Sequence, residues 1–265
     1  MTVEMTTQGA NPLSTLMSSR HVNFRSPSFS RGIIIIVGGY GSGKSEISVN
    51  LARLLAQSQQ GPVTIADLDI INPYFRSREA AAELEAFGVT SLVPAGAHAF
   101  ADLPIIIPDI RSAIEQNQGK LILDVGGDDV GARVLSSLAD AFVPDTYEML
   151  LVLNGRRPFT ADVAGSMRMI AEIEASSRLK FTGIISNTHL MTDTSPAIVL
   201  EGVKLARDVA RETGLRIAFV SAMNGIVDKL DADSLDLPVL RLDRALVKPW
   251  EPKGNTWTDK KLRIR

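Results

Sequence analysis

The 265-residue chain has no cysteine. Disulfide staples, thiolate-held zinc and iron–sulfur ligation by this chain alone are therefore excluded. Its three histidines, His21, His98 and His189, are too scattered to suggest a metal cluster. A strong charge of either sign is also missing. The formal net charge is −2, so the whole molecule offers no electrostatic reason to expect nucleic acid or an anionic membrane as a partner. No apolar stretch approaches the ~18 residues of a membrane-spanning helix. The longest, at 32–37, is strand-sized. The first 31 residues are rich in Ser, Thr and Asn and lack the apolar core of a secretory signal. Arg20, Arg25 and Arg31 lie among hydroxyl residues, but Glu4 and the poor amphipathicity argue against a transit peptide. Residues 1–31 thus read as a flexible leader, with Met17 as an alternative start, and the expected location is cytoplasmic.

What is present is ordinary for a globular protein: 45% hydrophobic and 22% charged residues, enough for one large α/β domain spanning residues 32–245. Short β-branched runs alternate with longer helical patterns, as in βαβ units on a parallel sheet. The strands expected are 33–37, 63–66, 90–93, 121–124, 149–154, 181–187 and 216–221, about seven in all. Several are apolar at nearly every position, as strands covered by helices on both faces must be. Helices are expected at 44–60, 76–87, 104–118, 131–139, 160–177 and 196–213, the last closed by Gly214 at its C′ position. "LDLPVLRL" is a further edge-strand candidate. Residues 246–265 form a basic tail, and from Val247 onward six basic residues stand against two acidic ones.

"GGYGSGKS", residues 38–45, fits G-x-x-x-x-G-K-[ST] at every fixed position, with a strand before it and a helix after it. Gly38, Gly39, Gly41 and Gly43, with Ser42, let successive backbone N–H groups turn toward phosphate oxygens. The helix opening at Lys44, Ser45 and Glu46 points its positive end at the same anion. Lys44 reaches β- and γ-phosphates, and the Ser45 hydroxyl is a Mg²⁺ ligand. Asp124 ends an apolar strand and is followed by Gly126 and Gly127, a Walker B arrangement in which Asp124 serves the metal and the Gly127 N–H meets the γ-phosphate. Asp67 and Asp69 close the second strand on the same sheet edge, where carboxylates can orient metal-bound or attacking water. Asp128 and Asp129 read as a helix N-cap pair.

In this order (phosphate loop, Asp-x-Asp, then a strand ending Asp-x-Gly-Gly) the chain resembles the MinD/ParA and CobQ/CobB-like P-loop NTPases, the SIMIBI class, over roughly residues 32–225. The resemblance implies a three-layer P-loop fold and a Mg²⁺-dependent nucleotide switch. It places Asp67 or Asp69 in switch I, Gly127 in switch II and Asn187, in "GIISNTHL", beside the base. It implies a protein partner and a homodimer as the assembly. One position departs from it. The MinD/ParA group carries a signature lysine where this chain has Gly39, so the cation that group uses at the transition state has to come from elsewhere, with Arg76 and Arg78 as candidates.

The base is read as adenine, making ATP and Mg²⁺ the expected ligands. Guanine recognition needs an acidic acceptor in Asn-Lys-x-Asp, and the tetrad here is Asn187-Thr188-His189-Leu190. Against this, "FVSAMNG" resembles the Ser-Ala element of GTPases, so a GTPase stays an alternative. A small-molecule kinase or ligase like dethiobiotin synthetase is the other, its acceptor pocket drawn from Tyr74, Phe75, Arg76 and His98.

Overall fold

Four consecutive isoleucines set the architecture. In strand β1 (Ile33–Gly38) every residue is buried, and alternate side chains enter opposite cores. Ile33, Ile35 and Val37 pack with one cluster, Ile34 and Ile36 with another. β1 is thus the centre of a sheet covered on both faces. The structure, a computed structural model, describes residues 24–58, 61–68, 81–92, 99–127, 129–231 and 235–245.

Within these residues the chain forms β1, α1 (Lys44–Gln57), β2 (Val63–Asp67), α2 (Ala81–Glu85), β3 (Val89–Leu92), α3 (Ala99–Glu115), β4 (Lys120–Gly126) and α4 (Asp129–Leu138). There follow β5 (Tyr147–Leu153), α5 (Val163–Ser177), β6 (Gly183–Ser186), α6 (Pro196–Thr213), β7 (Arg216–Met223), α7 (Asn224–Val227) and β8 (Val239–Leu242). The eight described strands form one sheet in the order β3-β2-β4-β1-β5-β6-β7-β8. Every pairing is parallel. All carboxyl ends therefore lie along one edge. Two halves of the sheet grow away from β1 in opposite directions, and such a switch point opens a crevice at that edge.

Ile47, Leu51 and Leu55 of α1 and Leu84 of α2 fill the core on one face. Ile110 and Ile114 of α3, Leu135 and Leu138 of α4, and Ile170 and Ile173 of α5 fill the other. The three-layer α/β expectation is met. α6 has Ser195 as its N-cap, accepting from the Ile198 N–H at 3.4 Å, and Gly214 closes it at φ 73°.

The edge-strand candidate "LDLPVLRL" forms β8, parallel to β7, and completes the eight described strands of the expected sheet. The segment behind it is fastened to α1. Asn50 donates to the Asp243 carbonyl and accepts from the Asp243 N–H, both at 2.9 Å, while Arg53 donates to the Asp243 carboxylate at 2.9 Å. Part of residues 24–31, read from sequence with the leader, packs on the domain. Phe29 is buried edge-on against Phe219 with ring centres 6.2 Å apart. Lys120 donates to the carbonyls of Phe29 and Arg31 at 2.7 and 2.8 Å. Burial pulls the Lys120 ammonium below its ordinary pKa. An extended stretch with one or two apolar residues has no period to detect, so this packing left no pattern in the sequence.

Candidate functional site

The loop between β1 and α1 has its shape from two left-handed glycines, Gly41 at φ 70° and Gly43 at φ 91°. The Ser42 N–H donates to the Gly39 carbonyl at 3.1 Å and closes the turn. Gly43 is the N-cap of α1 and brings no side-chain acceptor; the Ile47 N–H takes its carbonyl at 3.1 Å. The N–H groups of the first helical turn thus lack both intrahelical acceptors and a capping side chain, and the positive end of the helix faces the loop. Lys44 and Ser45, 7% and 5% exposed, are held in that turn. The Ser42 hydroxyl is buried and has no hydrogen-bond partner among the described residues.

Around this cradle the parallel register lines up the acidic residues. Asp67 and Asp124 are direct partners across β2 and β4, and Asp124 in turn stands opposite Ile36 of β1. Both carboxylates are buried, Asp124 completely. Three residues on from Asp124, Gly127 lies against the loop itself. A Cβ there would collide with the Gly38 carbonyl and come within 2.8 Å of the Gly39 nitrogen. The strand-end aspartates and the Asp-x-x-Gly turn therefore share one edge with the loop. Asp69, Arg76, Arg78, Tyr74, Phe75, His98 and Asp128 lie outside the described residues.

From the other side the loop is braced by the ends of β5, β6 and β7. Asn187, buried, donates from its amide nitrogen to the Ser42 carbonyl at 2.7 Å. Its amide oxygen accepts from the Ser221 hydroxyl at 3.0 Å. The Asn187 amide is thus engaged with loop backbone on one side and β7 on the other. Buried Asn154 holds two turns at once, accepting from the N–H groups of Arg156 (2.9 Å) and His189 (3.4 Å). The Arg157 guanidinium donates through Nε to the Gly41 carbonyl at 2.8 Å. His189, half-buried beside them, has its pKa lowered to about 4, first by desolvation and then by the Arg157 charge, so it is neutral at physiological pH.

Of the residues expected from sequence, Gly38, Gly39, Gly41, Ser42, Gly43, Lys44, Ser45, Asp67, Asp124, Gly127 and Asn187 are gathered at one edge. Glu46 points elsewhere. Its carboxylate accepts from the Ala245 N–H and, at 3.4 Å, from Asn50 on the α1–β8 side. A Cβ on Gly39, the position of the missing lysine, would meet the Met169 methyl at 3.0 Å, so α5 packs over it. Arg157 and Ser221 were not singled out as site residues. The available signals were the paired arginines of "NGRRPFT" and the Ser-Ala element, and neither carries a residue-level assignment without the fold.

Mg²⁺ is the ion the loop type implies. Among the described residues no group of three His, Cys, Asp or Glu could hold a metal unaided. The donor set still suits Mg²⁺, which uses one or two carboxylates, phosphate oxygens and water. A serine hydroxyl in the first turn of α1 and a fully buried strand-end carboxylate match that requirement.

No protein-family model matches the sequence, and no curated protein matches it significantly. Solved structures do. FtsY from Mycoplasma mycoides superposes with a TM-score of 0.51 at 21% identity, covering 81% of this chain and 68% of that one. Cell division protein FtsY from Thermotoga maritima gives 0.47 at 20% identity, over 80% and 69% of the two chains. A nucleotide-binding protein from Archaeoglobus fulgidus, in complex with ADP, gives 0.42 at 18% identity, over 70% and 81%. At these identities the likeness speaks for architecture alone, and with the first of them it makes the eight-stranded parallel sheet and its Gly38–Ser45 loop a P-loop NTPase fold.

Proposed function

We propose that the chain binds a nucleoside triphosphate with Mg²⁺ on the Gly38–Ser45 loop and hydrolyses it, acting as a switch that couples nucleotide state to a protein partner. The observation that carries the reading is the cradle: left-handed Gly41 and Gly43, an uncapped α1 N-terminus and the unpartnered Ser42 hydroxyl, all facing the edge that holds Asp67 and Asp124. Backbone N–H groups and Lys44 hold the phosphates. Ser45 and Asp124 would hold Mg²⁺, with Asp69 the further ligand expected from sequence, and the ion would supply neutralisation of charge on the phosphate oxygens. Asp67 orients water at the same edge, the role the sequence also gives Asp69. Gly127, in van der Waals contact with the loop backbone, ties the turn after β4 to the state of the phosphate site.

ATP is the nucleotide of this reading, since Leu190 has no acceptor for guanine N1 and N2. One observation favours GTP instead. Ser221 opens the Ser-Ala element and fixes Asn187 at the loop, joining the two segments that a guanine site would use. The resemblance to MinD/ParA ATPases supports the switch and a homodimer as its assembly, in the cytoplasm.

Calorimetric titration with Mg-ATP and Mg-GTP, alongside phosphate release without any acceptor, tests the proposal. The expected result is micromolar or tighter binding with ATP preferred, slow phosphate release, and loss of both in Lys44→Ala. Wild-type affinity in Lys44→Ala overturns the site. Preference for GTP overturns the base assignment, and turnover that requires a small-molecule acceptor identifies a kinase.

A further inference from the structure

Arg156 and Arg157 are adjacent in the β5–α5 loop but differ in their electrostatic surroundings. Arg156 is neutralised by Glu201 of α6. Arg157 turns the other way, onto the phosphate loop, where a Cβ on Gly41 would stand 3.0 Å from its Cζ and Nε. Among the described residues no carboxylate pairs with it, and the Gly41 carbonyl is its one side-chain hydrogen-bond partner. A guanidinium carries five N–H donors, so one bond through Nε leaves the terminal fork with four. His189, which feels the Arg157 charge, is neutral and brings no counter-charge.

The arginine is also held in place by its backbone. The Arg157 N–H donates to the Asn154 carbonyl at 3.0 Å, and the Thr160 N–H donates to the Arg157 carbonyl at 3.1 Å. The Thr160 hydroxyl donates to the same Asn154 carbonyl at 2.8 Å, and Asn154 is fully buried. Such a turn presents the side chain from a fixed base, which lowers the entropy lost when the fork engages a ligand. A half-buried, uncompensated cation, docked on a loop built to receive phosphate, is unfavourable in the free protein and is relieved when an anion arrives.

We propose that Arg157 is a cis-acting phosphate ligand of the nucleotide site. Its Nε anchors to Gly41 and its terminal nitrogens donate to the phosphate chain. It thereby supplies, from the same polypeptide, positive charge at the loop whose second position is the uncharged Gly39. This rests on the nucleotide-binding reading above.

The test compares wild type, Arg157→Gln and Arg157→Lys for Mg-ATP and Mg-GTP affinity across an ionic-strength series, with thermal unfolding as the folding control. Arg157→Gln is expected to bind about tenfold more weakly and to show a flatter dependence of Kd on salt. Arg157→Lys, which keeps the charge but not the fork, is expected to fall between the two. Wild-type protein that binds neither nucleotide removes the underlying reading and this one with it. Wild type that binds, with Arg157→Gln within twofold of it, removes this proposal alone. So does a weaker Arg157→Gln whose salt dependence parallels wild type, because a loop brace without phosphate contact would behave that way.

Discussion

The Asn187 side chain donates to the backbone carbonyl of Ser42, 145 residues away in sequence, at 2.7 Å, and receives the Ser221 hydroxyl on its other end. One buried amide thereby fastens β6 and β7 to the phosphate loop. Asn187→Ala leaves the buried Ser42 carbonyl without its donor, a penalty of about 1–3 kcal/mol. We expect a roughly tenfold weaker Mg-nucleotide Kd by calorimetry, with a lowered unfolding midpoint. Asn187→Asp, which sets an anionic oxygen against the same carbonyl, is expected to be worse than alanine.

Asp124→Asn keeps the shape of the fully buried strand end and removes its charge. If Asp124 serves the metal, single-turnover phosphate release falls by about 10²-fold while nucleotide affinity changes far less. Equal losses in both measurements would contradict that role.

His189 gives the protein a specific acid sensitivity. Its folded pKa, lowered to about 4, lies below the ordinary value of 6.5. The unfolded chain therefore binds the proton first, and stability falls as pH drops from about 6.5 toward 4. The loss approaches 2–3 kcal/mol, roughly, at the lower end. Urea unfolding of wild type and His189→Gln at pH 7.5 and 5.0 should give a smaller pH difference for the variant. Identical differences would show that His189 does not titrate in this window.

Phe29→Ala tests whether the stretch before β1 belongs to the domain. Loss of a buried phenylalanine ring costs about 3–5 kcal/mol. A leader that made no contacts would leave the unfolding midpoint unchanged.

The parallel sheet was legible because its strands are apolar on both faces, and the phosphate loop because its chemistry fixes residue types at close spacing. Asp67 and Asp124 could be assigned to one edge since both end strands that a parallel topology must align. What stayed hidden has a common cause. Arg157 on Gly41, Ser221 on Asn187 and Asn50 on Asp243 join residues 34 to 193 positions apart by one or two hydrogen bonds each. A partnership of that kind leaves no period or local composition. The packing of the Phe29 stretch stayed hidden for a related reason, since an isolated aromatic anchor carries too few residues for a pattern.

The contact between Gly127 and Gly38 bears on how this protein can vary. No side chain, however small, fits between the turn after β4 and the carbonyl at the start of the phosphate loop. The two backbones are therefore a single inheritance. A saturation library should tolerate nothing at position 127 that it does not also accompany with a displaced loop, and no compensating substitution at Gly38 can open the gap, because the obstructing atoms are main chain.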